Sequence, residues 1–130
     1  MIQLYADGGS RGNPGEAAYA FLIYDGGRKL YEKGKRLGVT TNNVAEYTAV
    51  IEGLRKAREF GDEIEVFSDS ELAIRQLRGE YKVKKPHLKE LYKKLKEAES
   101  KFKKVSYTHR LREDPMQKLA DELVNKTLDS

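Results

Sequence analysis

Four acidic residues stand where a folded chain would not ordinarily put them. Asp7 closes an alternating run, Ile2-Gln3-Leu4-Tyr5-Ala6-Asp7, and Asp69 closes another, Glu63-Ile64-Glu65-Val66-Phe67-Ser68-Asp69. Each follows an aromatic residue by two positions, so in a strand each shares that aromatic's face and lies at the strand's end. Glu46 falls on the line Glu46, Val50, Gly53, Ala57, and Asp121 on the line Asp121, Val124, Leu128, spacings by which a helix presents one face to a core. If the two strands are parallel neighbours, about 4.8 Å apart, Asp7 and Asp69 meet at the carboxyl edge of a sheet, where open α/β sheets bind ligands. Converging carboxylates repel one another, and a divalent cation relieves the conflict. With no cysteine in the chain and two unpaired histidines, the oxygen donors point to a hard ion such as Mg2+ or Mn2+. Such ions take phosphate oxygens from a substrate, so the chemistry is metal-assisted cleavage of a phosphodiester. Any one of these acids, among 21, reads as an ordinary surface charge, and an acid early in a helix also suits the helix dipole; the coincidence of four carries the inference.

The elements that must position them follow from periodicity. The first strand breaks at Gly8-Gly9-Ser10-Arg11-Gly12-Asn13-Pro14-Gly15, which reads as an irregular loop. Residues 18–24 form a second strand, Asp25-Gly26-Gly27 a hairpin, and residues 29–36 a third strand antiparallel to the second. The period then turns helical over 43–60, with Thr41 or Asn42 as N-cap and Gly61 as the stop. After the strand at 63–69 come a helix at 70–78 and another from Pro86, whose inward line is Leu88, Leu91, Tyr92, Leu95 and Ala98. Residues 103–109 read as a fifth strand. The last helix starts at Pro115 or Met116 and runs to about 128, with Leu119, Ala120, Leu123, Val124 and Leu128 inward. The order βββαβααβα predicts an α/β fold: a five-stranded mixed sheet with helices on both faces, one domain over residues 1–130.

A chain of 130 residues, 38% hydrophobic and 35% charged, has room for one core and too little for two. The absence of cysteine excludes disulfide scaffolds and Cys-based zinc or iron–sulfur sites. No apolar run approaches the roughly 18 residues of a membrane span. Met1-Ile2-Gln3-Leu4 leads straight into a strand with no basic leader or apolar stretch, so a cytoplasmic protein without a membrane partner is expected. The net charge of +4 is unevenly placed: residues 78–104 carry eleven Lys or Arg against four Glu, leaving the remainder net acidic. A basic flank beside a carboxylate cluster suits a protein that holds a polyanion. The plainer reading is that lysines crowd the outer face of one surface helix.

Taken in order, Asp7 to Gly15, Thr41-Asn42-Asn43-Val44-Ala45-Glu46-Tyr47, Ser68-Asp69-Ser70, Gly79-Glu80-Tyr81-Lys82-Val83-Lys84 and Ala120-Asp121-Glu122-Leu123 resemble ribonuclease H type 1 nearly end to end, in the compact form common in archaea and some bacteria. The glycine-rich segment lacks the Gly-Lys-Ser/Thr ending of a phosphate-binding P-loop. The resemblance implies the ribonuclease H-like fold and hydrolysis of the RNA strand of an RNA/DNA hybrid, leaving a 5′-phosphate and a 3′-hydroxyl. It implies two ions, Mg2+ with Mn2+ able to substitute, held by Asp7, Glu46, Asp69 and Asp121. It further implies substrate contacts from Gly8, Asn13, Asn42 and Asn43, with Thr41 on a DNA phosphate, and a monomer is expected. An asparagine amide can donate and accept toward a 2′-hydroxyl, the group that distinguishes RNA; the same residue type serves turns and caps.

This chain also departs from the family. Gln117 stands four residues before Asp121, where an Asn is usual. His109, twelve residues before Asp121, is the nearest match to the histidine that larger members carry in a mobile loop to help product leave. His87, after Pro86, is expected to be exposed. Nothing between residues 79 and 86 is long enough for the basic handle of those larger members, so Lys82, Lys84, Lys85 and the lysine face beyond must supply affinity, with strong salt dependence. Two other readings stand beside the hybrid-specific nuclease: a silent module that binds duplexes by shape, and a relaxed nuclease that also cuts double-stranded RNA or RNA–DNA junctions.

Overall fold

The glycines after Asp7 do not end the first strand. In the computed structural model, which describes residues 1–130, β1 (Ile2–Gly12) runs on through them and pairs with β2 (Gly15–Asp25) as far as the Gly12↔Gly15 pair. The expected loop is therefore a two-stranded ribbon turning at Asn13-Pro14. Glycine here serves close approach: a Cβ at Gly8 would overlap the Ala45 carbonyl, and one at Gly15 the carbonyl of Arg11. Gly8 reads as a turn signal in the sequence because the backbone that crowds it comes from Ala45, whereas Gly12, at φ +96°, and Gly15 do serve the turn.

β3 (Arg28–Thr40) is longer than expected for a similar reason, continuing along β2 past bulges at Ala17/Ala18 and Ile23/Tyr24. Then follow α1 (Asn42–Ala57), β4 (Glu63–Ser68), α2 (Glu71–Leu77), α3 (Pro86–Glu99), β5 (Lys104–His109) and α4 (Pro115–Asp129). The sheet order is β3-β2-β1-β4-β5, antiparallel from β1 to β3 and parallel from β1 to β5. This is the expected five-stranded mixed sheet.

One face of the sheet carries the main core. Leu4, Phe21, Ile23, Ile64 and Val66 pack there with Val50 and Leu54 of α1. α1 sits close because Gly53 makes room, a Cβ there lying 2.7 Å from a Leu4 methyl. Each fully buried aliphatic contributes roughly 1.5–3 kcal/mol, and a one-residue slip of β1 would turn Ile2, Leu4 and Ala6 off this face. That register is what holds Asp7 in its place.

α4 covers the other face, on Tyr5, Leu22 and Phe67 through Ala120, and on Ala18 and Ala20 through Val124 and Leu128. Where it crosses β3, a Cβ at Gly34 would overlap Thr127. Arg36 closes the end of the helix, its Nε donating to the Thr127 carbonyl at 3.2 Å and its Nη2 to that of Leu128. Leu119, expected inward, is 43% exposed. The buried line of α4 is Gln117, Ala120, Val124 and Leu128, a stripe too narrow to include it. No helix is long and apolar enough to cross a membrane.

Candidate active site

β1 and β4 pair in parallel through Ala6↔Ser68, so Asp7 and Asp69 leave their strands side by side, as the alternation predicts. Glu46 arrives from the start of α1, which Thr41 caps: its Oγ1 accepts from the Val44 amide at 3.3 Å. The missing Cβ of Gly8 lets that turn come within reach of Asp7. Asp121 comes from α4, whose N-cap Asp114 accepts from the amides of Met116 and Gln117 at 3.0 and 3.3 Å. All four carboxylates line one open cavity of about 450 Å3.

Asp7 is 5% exposed. Burial, followed by the charges of Asp69 and Asp121, pushes its carboxyl up to about 9. Burial also raises Glu46, to about 7, with Asp69 adding to the effect and Ser70 and Arg112 opposing it. Glu46 Oε2 is buried without a hydrogen-bond partner. A buried acceptor with no donor, beside a second carboxyl whose charged form burial disfavours, asks for positive charge. The donor set is all oxygen, which fits hard divalent cations. No three of the side chains converge tightly enough to cage an ion by themselves. That openness suits Mg2+, which keeps waters and takes one or two carboxylates with substrate oxygens.

One cation already stands at the mouth of this cavity. Arg112 Nε donates to Asp69 Oδ2 at 3.3 Å, and its side chain is 72% exposed. Sequence reasoning missed it, because Arg110-Leu111-Arg112-Glu113-Asp114 mixes charges without a period. The available signal was its position between β5 and the helix that carries Asp121. His109 does not line the cavity; it is half-buried at the end of β5, opposite Ser68. His87 is exposed as expected.

The oxygens of Asn13 and Asn42 are taken up in bonds between the β1–β2 ribbon and the start of α1. Ser10 donates to Asn42 Oδ1 from both its amide and its hydroxyl, at 2.8 and 2.9 Å. The Asn42 amide N–H donates in turn to Asn13 Oδ1 at 3.1 Å. Together they tie the β1–β2 ribbon to the start of α1. Asn42 thereby keeps only its side-chain NH2 for a ligand, so it can donate but no longer accept. Asn43 is half-buried beside it, and Thr41 still has its hydroxyl proton free. Gly8 lines the cavity. Lys82 and Lys84 are exposed and lie away from the cavity, on the irregular segment between α2 and α3. Gln117 does not open into it either: it is fully buried, and its Nε2 donates to the Ala6 carbonyl at 2.8 Å.

Against known proteins, a family model described as "Reverse transcriptase-like" matches residues 6–127. A bifunctional protein of Mycobacterium tuberculosis is 39% identical over 132 residues, covering 99% of this chain and 36% of the relative. The ribonuclease HI of Halobacterium salinarum is 39% identical over 130 residues, covering 98% of this chain and 64% of the relative. This chain thus spans only part of the length of these curated relatives, little more than a third of the mycobacterial one. Among solved structures, LC11-RNase H1 in complex with an RNA/DNA hybrid has a TM-score of 0.93 at 43% identity, covering 99% of this chain and 97% of that one. RNase H1 from Halobacterium salinarum has a TM-score of 0.92 at 38% identity, covering 98% and 97%.

Proposed function

The chain belongs to the ribonuclease H family, in its type 1 form, and from that premise we propose that it hydrolyses the RNA strand of RNA/DNA hybrids. The observation that carries this reading is the gathering of Asp7, Glu46, Asp69 and Asp121 in one cavity at the carboxyl edge of the sheet. The four would hold two divalent ions, Mg2+ or Mn2+. Bound there, such ions supply an activated water and charge stabilisation at the leaving 3′ oxygen, the route to a 5′-phosphate and a 3′-hydroxyl.

The rest falls to the chain's own groups. Asp7, on a strand paired on both sides, holds its carboxylate on a rigid base, so positioning costs little at the moment of reaction. The Asn42 NH2, at the cavity wall, and the Thr41 hydroxyl proton are free donors, suited to a 2′-hydroxyl and a phosphate respectively. Arg112, beside Asp69 and mostly in solvent, is placed to meet a substrate phosphate at the cavity mouth. Lys82, Lys84 and Lys85 add sequence-independent attraction for the backbone.

The test is a cleavage panel of hybrid, double-stranded RNA, double-stranded DNA and single strands, each in Mg2+ and in Mn2+. Cutting of the hybrid that is lost in Asp69→Asn is the expected outcome; full activity in that variant sinks the assignment. Calorimetry with Mg2+ and no nucleic acid separates the enzyme from a silent duplex binder. A pure binder gains nothing from buried carboxylates where phosphates must come, and it would give no metal heat.

A further inference from the structure

Gln117 has no exposed surface, yet half of its amide is unsatisfied. Nε2 donates to the Ala6 carbonyl across 111 residues of sequence, while Oε1 is buried with no partner. An orphaned buried acceptor costs at least as much as one neutral hydrogen bond returns. A residue kept here for folding alone would be apolar, so stability does not account for the amide. Geometry does, because the bond joins the two least alike parts of the site. Ala6 immediately precedes Asp7 on β1, and Gln117 lies one turn before Asp121 on α4.

The other contacts of α4 leave that relation loosely set. Its start is held through Asp114, whose carboxylate pairs with Arg110 at 2.9 Å, and Arg110 lies over the Phe67 ring at 4.6 Å. These fix the helix against β4 rather than β1. Over β2 and β3 it rests on Ala18, Ala20 and Gly34, small residues that offer few ridges against sliding, and the bonds from Arg36 and the exposed Arg11–Asp129 pair hold only its last two turns, beyond Asp121. The bond from Gln117 is the directional one between α4 and the backbone of β1.

We infer that Gln117 is a positioning residue: its bond to the Ala6 carbonyl sets the separation of Asp7 and Asp121, and through it the grip of the site on divalent ions. It touches neither the ions nor the substrate. This rests on the reading of the four carboxylates as metal ligands.

The test compares Gln117→Met, near-isosteric and without the amide, with the wild type. Three readouts serve: Mg2+ affinity by calorimetry without nucleic acid, the thermal midpoint, and kcat and KM on a hybrid. The expected result is a midpoint unchanged or raised, Mg2+ binding weakened about tenfold or more as for other groups that orient metal ligands, kcat lowered at fixed Mg2+, and KM for the hybrid unchanged. A folded Met variant with wild-type Mg2+ affinity and kcat overturns the inference. If that variant does not fold, Gln117→Asn decides on the same readouts: it keeps the amide but falls one methylene short, so Mg2+ binding should weaken, and wild-type affinity overturns the inference. A wild type that binds Mg2+ but leaves the hybrid intact refutes the proposed activity alone, since the affinity comparison still stands. A wild type that gives no Mg2+ heat refutes the carboxylate reading and this inference together.

Discussion

Asp7 is 5% exposed on a strand paired on both sides, whereas Lys82 and Lys84 stand in solvent on a segment with no ladder or helix of its own. The carboxylates are held by β1, β4, α1 and α4, with burial and mutual repulsion raising Asp7 and Glu46. The segment bearing the lysines is anchored at its start, where the amides of Glu80 and Tyr81 donate to the Arg75 carbonyl and the Arg75 guanidinium pairs with Glu80 at 2.9 Å. The difference matches the work proposed for each region. Chemistry at a phosphodiester depends on ångström placement, so its groups sit on rigid elements. Attraction for a polyanion acts over about a Debye length, near 10 Å at 0.1 M salt, and tolerates motion.

The largest expected effect comes from breaking the acidic side. Asp69→Asn should lower hybrid cleavage by roughly 10^2–10^3-fold or more, the scale of deleting a group that stabilises transition-state charge, while leaving substrate affinity in Ca2+ little changed; gel cleavage and binding assays check both. Next comes Gly8→Ala, whose methyl meets backbone rather than a yielding side chain. Overpacking of this kind costs about 1–3 kcal/mol in urea denaturation, and activity should drop because α1 and Glu46 are pushed away from Asp7. On the basic side, a Lys82→Ala, Lys84→Ala double variant should reduce the salt slope of hybrid binding by about 2 with kcat at saturating substrate unchanged. A lowered kcat there would erase the contrast between the two regions.

A last effect, on stability rather than cleavage, is one of pH. Asp7 and Glu46 carry raised values, so the folded metal-free protein holds more protons than the unfolded chain above 3.8, through to about 7 for Glu46 and about 9 for Asp7. Stability should therefore be greatest on the acid side of that window and fall as pH rises through it. Saturating Mg2+ should flatten or reverse the slope, since ions bind the deprotonated acids. Thermal midpoints across that range, with and without Mg2+, measure it; a flat metal-free profile would mean that neither burial nor the neighbouring charges shift these two acids.

Asp7 and Asp69 were legible because strand alternation is local, and Glu46 because a helical line of small and apolar residues surrounds it. The ribbon at residues 8–15 was not, since the reason for Gly8 is the backbone of Ala45, some forty residues away, while Gly12 and Gly15 serve the ribbon's own turn. Arg112 was hidden in a loop, where no period singles a residue out. Leu119 misled because apolar side chains at neighbouring positions of α4 widened the apparent core line beyond what one sheet face can bury. For Asn42 the sequence left ligand contact and capping open; the structure gives the cap to Thr41, ties the Asn42 oxygen to Ser10 on β1 and leaves its NH2 free.

The bond between Gln117 and Ala6 also orders events in time. Three of the four carboxylates lie in the first 69 residues, and the fourth waits for α4. Until that helix docks, the sheet face bearing Tyr5, Leu22, Phe67, Ala18 and Ala20 is bare, the condition in which partly folded chains stick to one another. Docking of α4 covers that face and delivers Asp121 in the same step. Until α4 docks, the chain is thus at once the stickiest and the furthest from a complete set of carboxylates, and both conditions end when that helix closes.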